Sequence, residues 1–245
     1  MRNLVCAALI LALLTVTGSA SAGPPYVSDD PEPTDFRHFE IYFFDGGTST
    51  RFGTGSAAGI DFNYGGAPDL QLSAVLPASF NSALRGPSAV GLGNIQLAAK
   101  YRFLHQKEVG LDVAIFPRFF LPAGSNAVGT THVSVFLPIW MEKDFMEWTT
   151  FGGGGYEFNR GAGSEDFYQL GWAITRQIRP GLQLGAEVYH QSADAPDTED
   201  TTGLNVGIIY DLNNHFHLMG TAGPGIQNAN DTNRYSWYAA MLVTF

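Results

Sequence analysis

The final stretch of the chain, Arg234 to Phe245, alternates between two kinds of side chain. Counting back from Phe245, every second residue is apolar or aromatic, and the positions between them are more polar. A period of two over this length predicts a β-strand whose faces meet different surroundings. The strand runs to the last residue without a polar tail, whereas chain ends usually fray, so we expect this end to pair within a sheet. Such a strand suits either a membrane barrel or a soluble β-sandwich.

The same alternation recurs along the chain and predicts about twelve strands. The predicted segments are 36–43, 58–64, 69–76, 93–103, 109–119, 132–141, 147–158, 166–178, 181–191, 203–212, 215–222 and 234–245. Segment 147–158 is rich in glycine and shows the weakest pattern. An even number of strands is typical of bacterial outer-membrane barrels.

Composition favours the membrane barrel over the sandwich. Charged residues make up 15% of the chain, against roughly 25% in a typical soluble domain. Hydrophobic residues reach 45%, yet no apolar run after Val16 approaches the roughly 20 residues of a membrane helix. Apolar residues are therefore dispersed in alternation, as in a transmembrane antiparallel up-and-down β-barrel. Closure of the sheet follows, because lipid cannot satisfy the backbone groups of a free edge.

The lengths of the connections support the same fold. We expect short periplasmic connections at 65–68, 104–107, 142–144, 179–180 and 213–214, and longer outer loops at 77–89, 121–131, 192–202 and 223–231. This alternation of short and long connections is characteristic of outer-membrane barrels. The barrel is expected to span 36–245.

The N-terminus predicts export. Arg2, the apolar run Leu4–Val16 and the small residues Ala20–Ala22 form a signal peptide over 1–22, with cleavage before Gly23. Cys6, the only cysteine, lies in that segment, so disulfides and thiolate metal ligands are excluded from the mature chain. Removing Arg2 leaves 12 basic against 23 acidic residues, a net charge of −11. That charge argues against a nucleic-acid partner.

The segment 23–35, GPPYVSDDPEPTD, carries four prolines and four acidic residues. We expect an extended periplasmic lead-in, which either hangs free or folds into the lumen as a plug.

The start of the expected mature chain resembles a known family. The matching residues are Gly23-Pro24-Pro25-Tyr26, Asp29-Asp30-Pro31-Glu32-Pro33, Phe36 and His38-Phe39-Glu40. They resemble the outer-membrane β-barrels of the phenol-degradation meta-pathway, which are porin-like or transporter-like. The resemblance implies a bacterial outer-membrane location and small, apolar or aromatic solutes. The C-terminal Phe245 is similar to the signal read by the outer-membrane barrel assembly machinery, and we expect lipid and lipopolysaccharide as further partners.

Alternation also assigns charged side chains to the lumen. The candidate pore-lining residues are Glu40, Asp61, Lys100, Arg102, Asp112, Arg118, Glu187, Asp211 and Arg234. Both signs are present, so they could line a polar path and set its selectivity. Alternatively, they could form an ion-pair network that fills a narrow barrel and conducts nothing.

Other candidate sites favour structural roles. His132 and Ser134 resemble the pair of outer-membrane phospholipase A, but no residue is evident that would orient the histidine, so we predict no catalytic residues. Gly152–Gly155 lacks the Lys-Ser/Thr pair of a phosphate loop. The acidic loop Asp194–Asp200 lacks calcium-loop spacing, and His215 with His217 lacks a third ligand, so neither metal nor cofactor is expected.

Three functions remain open from the sequence. The favoured hypothesis is a passive channel for small molecules, without enzyme activity. The alternatives are a non-conducting structural or adhesive barrel and a lipid-modifying enzyme.

Overall fold

A computed structural model describes residues 25–123 and 128–245 of the chain. The expected signal peptide, 1–22, lies outside these ranges. The described residues form one helical turn, α1 (Gln106–Val109), and fifteen strands. The strands are β1 Phe39–Ser49, β2 Gly53–Ala67, β3 Leu70–Ala83, β4 Ala89–Leu92, β5 Ile95–Leu104, β6 Asp112–Ile115, β7 Arg118–Leu121, β8 Ser134–Phe145, β9 Trp148–Phe158, β10 Phe167–Arg179, β11 Leu182–Gln191, β12 Thr201–Asp211, β13 Phe216–Gly223, β14 Gly225–Gln227 and β15 Tyr235–Thr244.

The strands close into a twelve-stranded antiparallel barrel, which confirms the predicted fold. Three wall strands are interrupted, so β4 with β5, β6 with β7, and β13 with β14 each act as one. Pro117 and Pro224 lie at two of these interruptions, where the missing proline N–H costs no ladder hydrogen bond. The last strand, β15, pairs with both β13 and β1, and the Phe245 N–H donates to the Phe39 carbonyl at 3.0 Å.

The two ends of the barrel differ in their connections. One end, here the short-turn end, carries the tight turns 68–69, 146–147 and 180–181, together with 212–215 and the α1 connection 105–111. In the turn 180–181, proline restricts φ and Gly181 adopts a φ of 74°. The opposite, long-loop end carries 50–52, 84–88, 122–123 with 128–133, 159–166, 192–200 and 228–234.

Several predicted connections are wrong in detail: the turn expected at 65–68, for example, falls at 68–69, because β2 continues to Ala67. The loop expected at 77–89 is strand up to Ala83, because β3 continues through Pro77 and stays paired with β2. Pro77 is tolerated because it faces the interruption between β4 and β5, and its carbonyl accepts from Gly93 N. The turn expected at 142–144 falls at 146–147, and β14 lies within the loop expected at 223–231.

Side chains alternate between two surroundings, as the sequence predicts. On β8, Leu137 and Ile139 point outward and are about half exposed, whereas Phe136 and Trp140 point inward and are buried. Many buried side chains of the inner face are polar, including Asn63, Gln71, Ser73, Lys100, Glu187 and Asn205. In the described ranges, no helix is long and apolar enough to cross a membrane.

The glycine-rich segment is strand β9. A Cβ on Gly152 would lie 2.6 Å from the Trp172 ring, and one on Gly155 would lie 2.5 Å from the Pro138 Cα. Neighbouring strands therefore pack against bare backbone here, which explains why the sequence shows little alternation.

Candidate functional site: the lumen and its N-terminal plug

Residues 25–34, here called the plug, lie inside the barrel. Ser28, Asp30 and Pro31 are fully buried. Because the plug pairs with no strand, its backbone bonds to wall side chains: Val27 N donates to Glu187 Oε2 at 3.1 Å and Thr34 N donates to Gln71 Oε1 at 2.8 Å. Of the two placements left open by the sequence, the structure shows the lumenal one.

A buried ion network holds the middle of the plug. Lys100 Nζ lies 2.9 Å from Asp29 Oδ1 and 3.2 Å from Asp30 Oδ1, and it donates to the Glu32 carbonyl at 3.2 Å. Arg118 pairs with the other oxygen of Asp29. The side chain of Lys100 is only 4% exposed, so its charge is stabilised by the carboxylates of the plug and not by water.

The three acidic groups of the plug precede the first spanning strand and differ in the direction of their pKa shifts. Burial raises the pKa of Asp30 to about 6, and burial together with the charge of Asp30 raises the pKa of Glu32 to about 7. Burial also acts to raise the pKa of Asp29, but Lys100 and Arg118 outweigh it, and the pKa of Asp29 lies below its ordinary value. Asp29 is therefore the group whose negative charge best matches the two wall cations.

A second ionic cluster lies at the short-turn end. Arg102 NH2 is 3.0 Å from Asp69 Oδ1, and its NH1 is 3.9 Å from both Glu32 and Asp112. His105 Nε2 lies 2.9 Å from the same Asp69 oxygen. Partial burial acts to raise the pKa of Asp69, but the bonds from His105 and Arg102 bring it below its usual value. This cluster joins the turn 68–69 to the lower part of the plug.

The nine candidate pore-lining residues occupy three regions. Lys100, Arg118 and Glu187 contact the plug directly, and Arg102 with Asp112 borders Glu32. Glu40 and Asp61 line a cavity beside the plug. The remaining two lie at the ends: Asp211 pairs with His217 at 2.7 Å at the short-turn end, and Arg234 bonds to Asn230 at the long-loop end.

Inward-facing glycines make room for the plug. A Cβ on either Gly185 or Gly207 would collide with the Tyr26 hydroxyl, and one on Gly171 would collide with the Ser28 hydroxyl. The Tyr26 ring meets Phe151 edge-on at a centroid distance of 5.8 Å. The sequence left open whether residues 25–34 lie in the lumen, and glycines at inward positions of β10, β11 and β12 are the signal that could have decided it.

Cavities surround the plug on three sides. One of about 420 Å³ at the short-turn end is lined by Glu32, Glu40, Asp211 and His217, among others. A second, of about 220 Å³, lies beside the ion network, and a third, of about 500 Å³, lies at the long-loop end above Pro25, Tyr26 and Val27.

His132 and Ser134 do not form a catalytic pair in this structure. His132 Nε2 lies 2.7 Å from Asn159 Oδ1, so the histidine has the orienting partner that the sequence did not reveal. Ser134, however, is buried on the inner face of the barrel. Within the described ranges, no hydrogen bond joins Ser134 to His132, and a serine nucleophile needs that contact.

The other candidate residues hold local structure. His215 Nδ1 lies 2.9 Å from the Thr244 carbonyl, and in the acidic loop Asp200 accepts from Ala193 N at 2.8 Å. Among residues 25–123 and 128–245, no three His, Asp or Glu side chains lie close enough together to hold a metal ion.

A closed antiparallel sheet with an apolar outer face and a polar lumen defines a transmembrane β-barrel protein. Within that class, the chain belongs to the family described as "Putative MetA-pathway of phenol degradation", whose model matches residues 38–239. This confirms the family expected from the N-terminal residues.

Two solved structures illustrate the fold. The COG4313 outer membrane channel from Pseudomonas putida F1 is 14% identical, with a TM-score of 0.70 over 87% of this chain and 99% of that one. The KdgM porin, solved in complex with disordered oligogalacturonate, is 12% identical, with a TM-score of 0.55 over 84% of this chain and 98% of that one. The comparison with curated proteins found no match.

Proposed function

We propose that this protein is a passive channel of the bacterial outer membrane for small apolar or aromatic compounds, and that passage requires the plug to move. The phenol-degradation description of its family and the names of the two barrels of similar fold, a channel and a porin, support this proposal. Short turns face the periplasm and long loops face outward in such barrels, so the plug would enter from the periplasmic side.

The observation that carries the proposal is the way the plug is attached. Its contacts are side-chain hydrogen bonds and ion pairs with the wall, whereas every wall strand bonds to wall neighbours through the backbone. Displacing the plug would therefore leave the barrel ladder intact. The cavities at both ends would then become parts of one path.

The proposal predicts permeability that depends on the solute. Purified mature protein in planar bilayers should give discrete current steps, and proteoliposomes should take up phenol and other small aromatic compounds faster than protein-free liposomes. An impermeant oligosaccharide of larger size serves as the leak control. Absence of current across a range of salt concentrations, together with uptake no faster than in empty liposomes, would contradict the channel.

A non-conducting structural or adhesive barrel is the second candidate. The observation in its favour is the ion network. Buried ion pairs that fill a lumen can act only on the stability and specificity of the fold, without any role in conduction. The same bilayer measurement separates the two candidates.

A lipid-modifying enzyme is the third candidate, favoured only by the His132–Asn159 pair. Since no hydrogen bond joins Ser134 to His132 within the described ranges, we expect hydrolysis of phospholipid vesicles by the purified protein to stay at background and Ser134→Ala to leave it there. Activity that is lost in both Ser134→Ala and His132→Ala would establish the enzyme.

The proposal includes the partners expected from the sequence. The outer face carries a belt of exposed apolar side chains suited to outer-membrane lipid and lipopolysaccharide. Phe245 is exposed beside β1, where the assembly machinery could bind it before the barrel closes.

A further inference from the structure

Few charged side chains lie on the outer face of the barrel, and their placement is uneven. Within the wall strands of the described ranges, the charged residues that point outward are Asp45 on β1, Lys143 on β8, and Arg176 and Arg179 on β10. Asp45 lies toward the long-loop end, whereas the three cations lie near the short-turn end. The expected mature chain has 12 basic against 23 acidic residues, so an outward patch with only basic charges departs from its overall balance.

The register of three neighbouring strands brings the cations together. β9 lies between β8 and β10, with Phe145 opposite Trp148 and Trp148 opposite Arg176. Lys143 precedes Phe145 by two residues and therefore lies on the same outward face. From a strand spacing of about 4.8 Å and a rise of about 3.4 Å per residue, the Cα atoms of Lys143 and Arg176 are roughly 12 Å apart. Both side chains are long and exposed, so they can contact one group that lies between them.

Aromatic rings support two of the cations. The guanidinium carbon of Arg176 lies 5.2 Å from the centroid of the Trp148 ring, and that of Arg179 lies 5.8 Å from the centroid of the Tyr210 ring. A guanidinium over a ring keeps the N–H groups at its edge free for a bidentate bond to phosphate. Trp and Tyr are enriched where the membrane meets water, so these rings place the cations at the depth of lipid headgroups.

Carboxylates of the chain do not neutralise this patch. The ion pairs found among the described residues involve other cations. Of the acids nearby, Asp144 lies on the inner face and accepts from Thr149 Oγ1. Lys143 Nζ donates to the Gly110 carbonyl at 3.1 Å, which leaves two of its three N–H groups for another acceptor. The patch therefore offers positive charge and hydrogen-bond donors to an anion outside the chain.

We propose that Lys143, Arg176 and Arg179 bind the phosphate of an anionic glycerophospholipid in the periplasmic leaflet of the outer membrane. Short turns face the periplasm in barrels of this kind, so outward cations near them meet the headgroups of that leaflet. Anionic headgroups attract basic side chains at the membrane surface. The acyl chains pack on exposed apolar residues deeper in the wall, such as Ile139 and Ile174. The inference goes beyond the proposed channel, because lipid binding does not depend on the passage of solutes.

The test is native mass spectrometry of the purified mature protein in detergent, with equal amounts of phosphatidylglycerol and phosphatidylcholine that carry the same acyl chains. Each lipid has one phosphate, but the choline cation leaves phosphatidylcholine without net charge. We expect phosphatidylglycerol adducts to exceed phosphatidylcholine adducts about tenfold, since hydrogen bonds between charged groups are the strong ones. Equal retention of the two lipids would overturn the proposal.

Variants locate the site. Lys143→Gln/Arg176→Gln is expected to abolish the preference for phosphatidylglycerol while leaving retention of phosphatidylcholine unchanged. Arg85→Gln/Arg160→Gln removes the same charge from exposed positions at the long-loop end and should keep the tenfold preference. If the first variant fails to fold, as judged by loss of the heat-modifiable band on gels, Arg176→Gln alone should lower the preference about threefold.

Three results would refute the site. The first is an unchanged preference in folded Lys143→Gln/Arg176→Gln, or in Arg176→Gln where that variant is used. The second is an equal loss of preference in the Arg85→Gln/Arg160→Gln control, which would assign the effect to net charge. The third comes from lipid A, the phosphorylated lipid of the outer leaflet, used as a separate probe. If Lys143→Gln/Arg176→Gln loses lipid A but keeps phosphatidylglycerol, the patch lies in the other leaflet.

Discussion

Oxidation of a Ser28→Cys/Gly171→Cys variant is expected to lower permeability to the level of protein-free liposomes, and reduction is expected to restore it. The position of a Cβ on Gly171 lies 3.4 Å from the Ser28 Cβ. Disulfides join residues whose Cβ atoms are about 3.5–4.5 Å apart, so this pair can bond after a small adjustment. The bond would tie the plug to β10 and prevent the movement that the channel requires.

The chain suits this experiment, because its only cysteine, Cys6, lies in the expected signal peptide. The readout is liposome uptake measured before and after a reductant. Each single-cysteine variant, treated with the same oxidant, controls for the side effects of oxidation and of the added Gly171 side chain. Permeability that persists in fully cross-linked protein would show that solutes pass without displacement of the plug.

Replacing Lys100 by methionine is expected to release the plug and raise the open probability of the channel. Lys100 is the shared counter-ion of Asp29 and Asp30, and its loss leaves Asp30 buried without a cation while Asp29 keeps Arg118. Removing one partner of a buried ion pair costs about 3–5 kcal/mol. At about 1.4 kcal/mol per factor of ten, that cost shifts the equilibrium between the inserted and displaced plug by at least a hundredfold. Single-channel recording should show long-lived open states that are rare in the unmodified protein.

Two further variants make this test specific. Lys107→Met removes a cation from the exposed helix α1, away from the plug, and should leave the open probability unchanged. Asp30→Asn, combined with Lys100→Met, removes the carboxylate that has lost its partner while Asp29 still pairs with Arg118, and it should restore the closed state in large part. An open probability of Lys100→Met equal to that of the unmodified protein would show that the ion network does not hold the plug.

The wall of the barrel could be predicted from local pattern. The outward positions of Leu137 and Ile139 and the inward position of Trp140 follow from a period of two. Solvation of each side chain depends only on the face of the sheet on which it lies. The errors lie where a neighbouring strand overrides a local signal. Pro77 indicates a break by itself, yet it lies in β3 because it faces the interruption between β4 and β5.

The site was only half predictable. Alternation identified Lys100, Arg118 and Glu187 as inward charges, but it gave no means of finding their partners, since Asp29 lies 71 positions before Lys100 and Glu187 lies 160 positions after Val27. The orienting contact between His132 and Asn159 was missed for the same reason, as those residues lie on opposite sides of a hairpin.

The sequence by itself determined that strands with one apolar and one polar face must close into a barrel, because solvation of each face acts locally on every residue. Only the tertiary structure decided what fills that barrel. The plug has no strand pattern of its own, and it is held by side chains that closure of the sheet brings together from distant strands. Whether those charges line an open path or pair with an internal segment depends on that closure, which the alternation of residues does not encode.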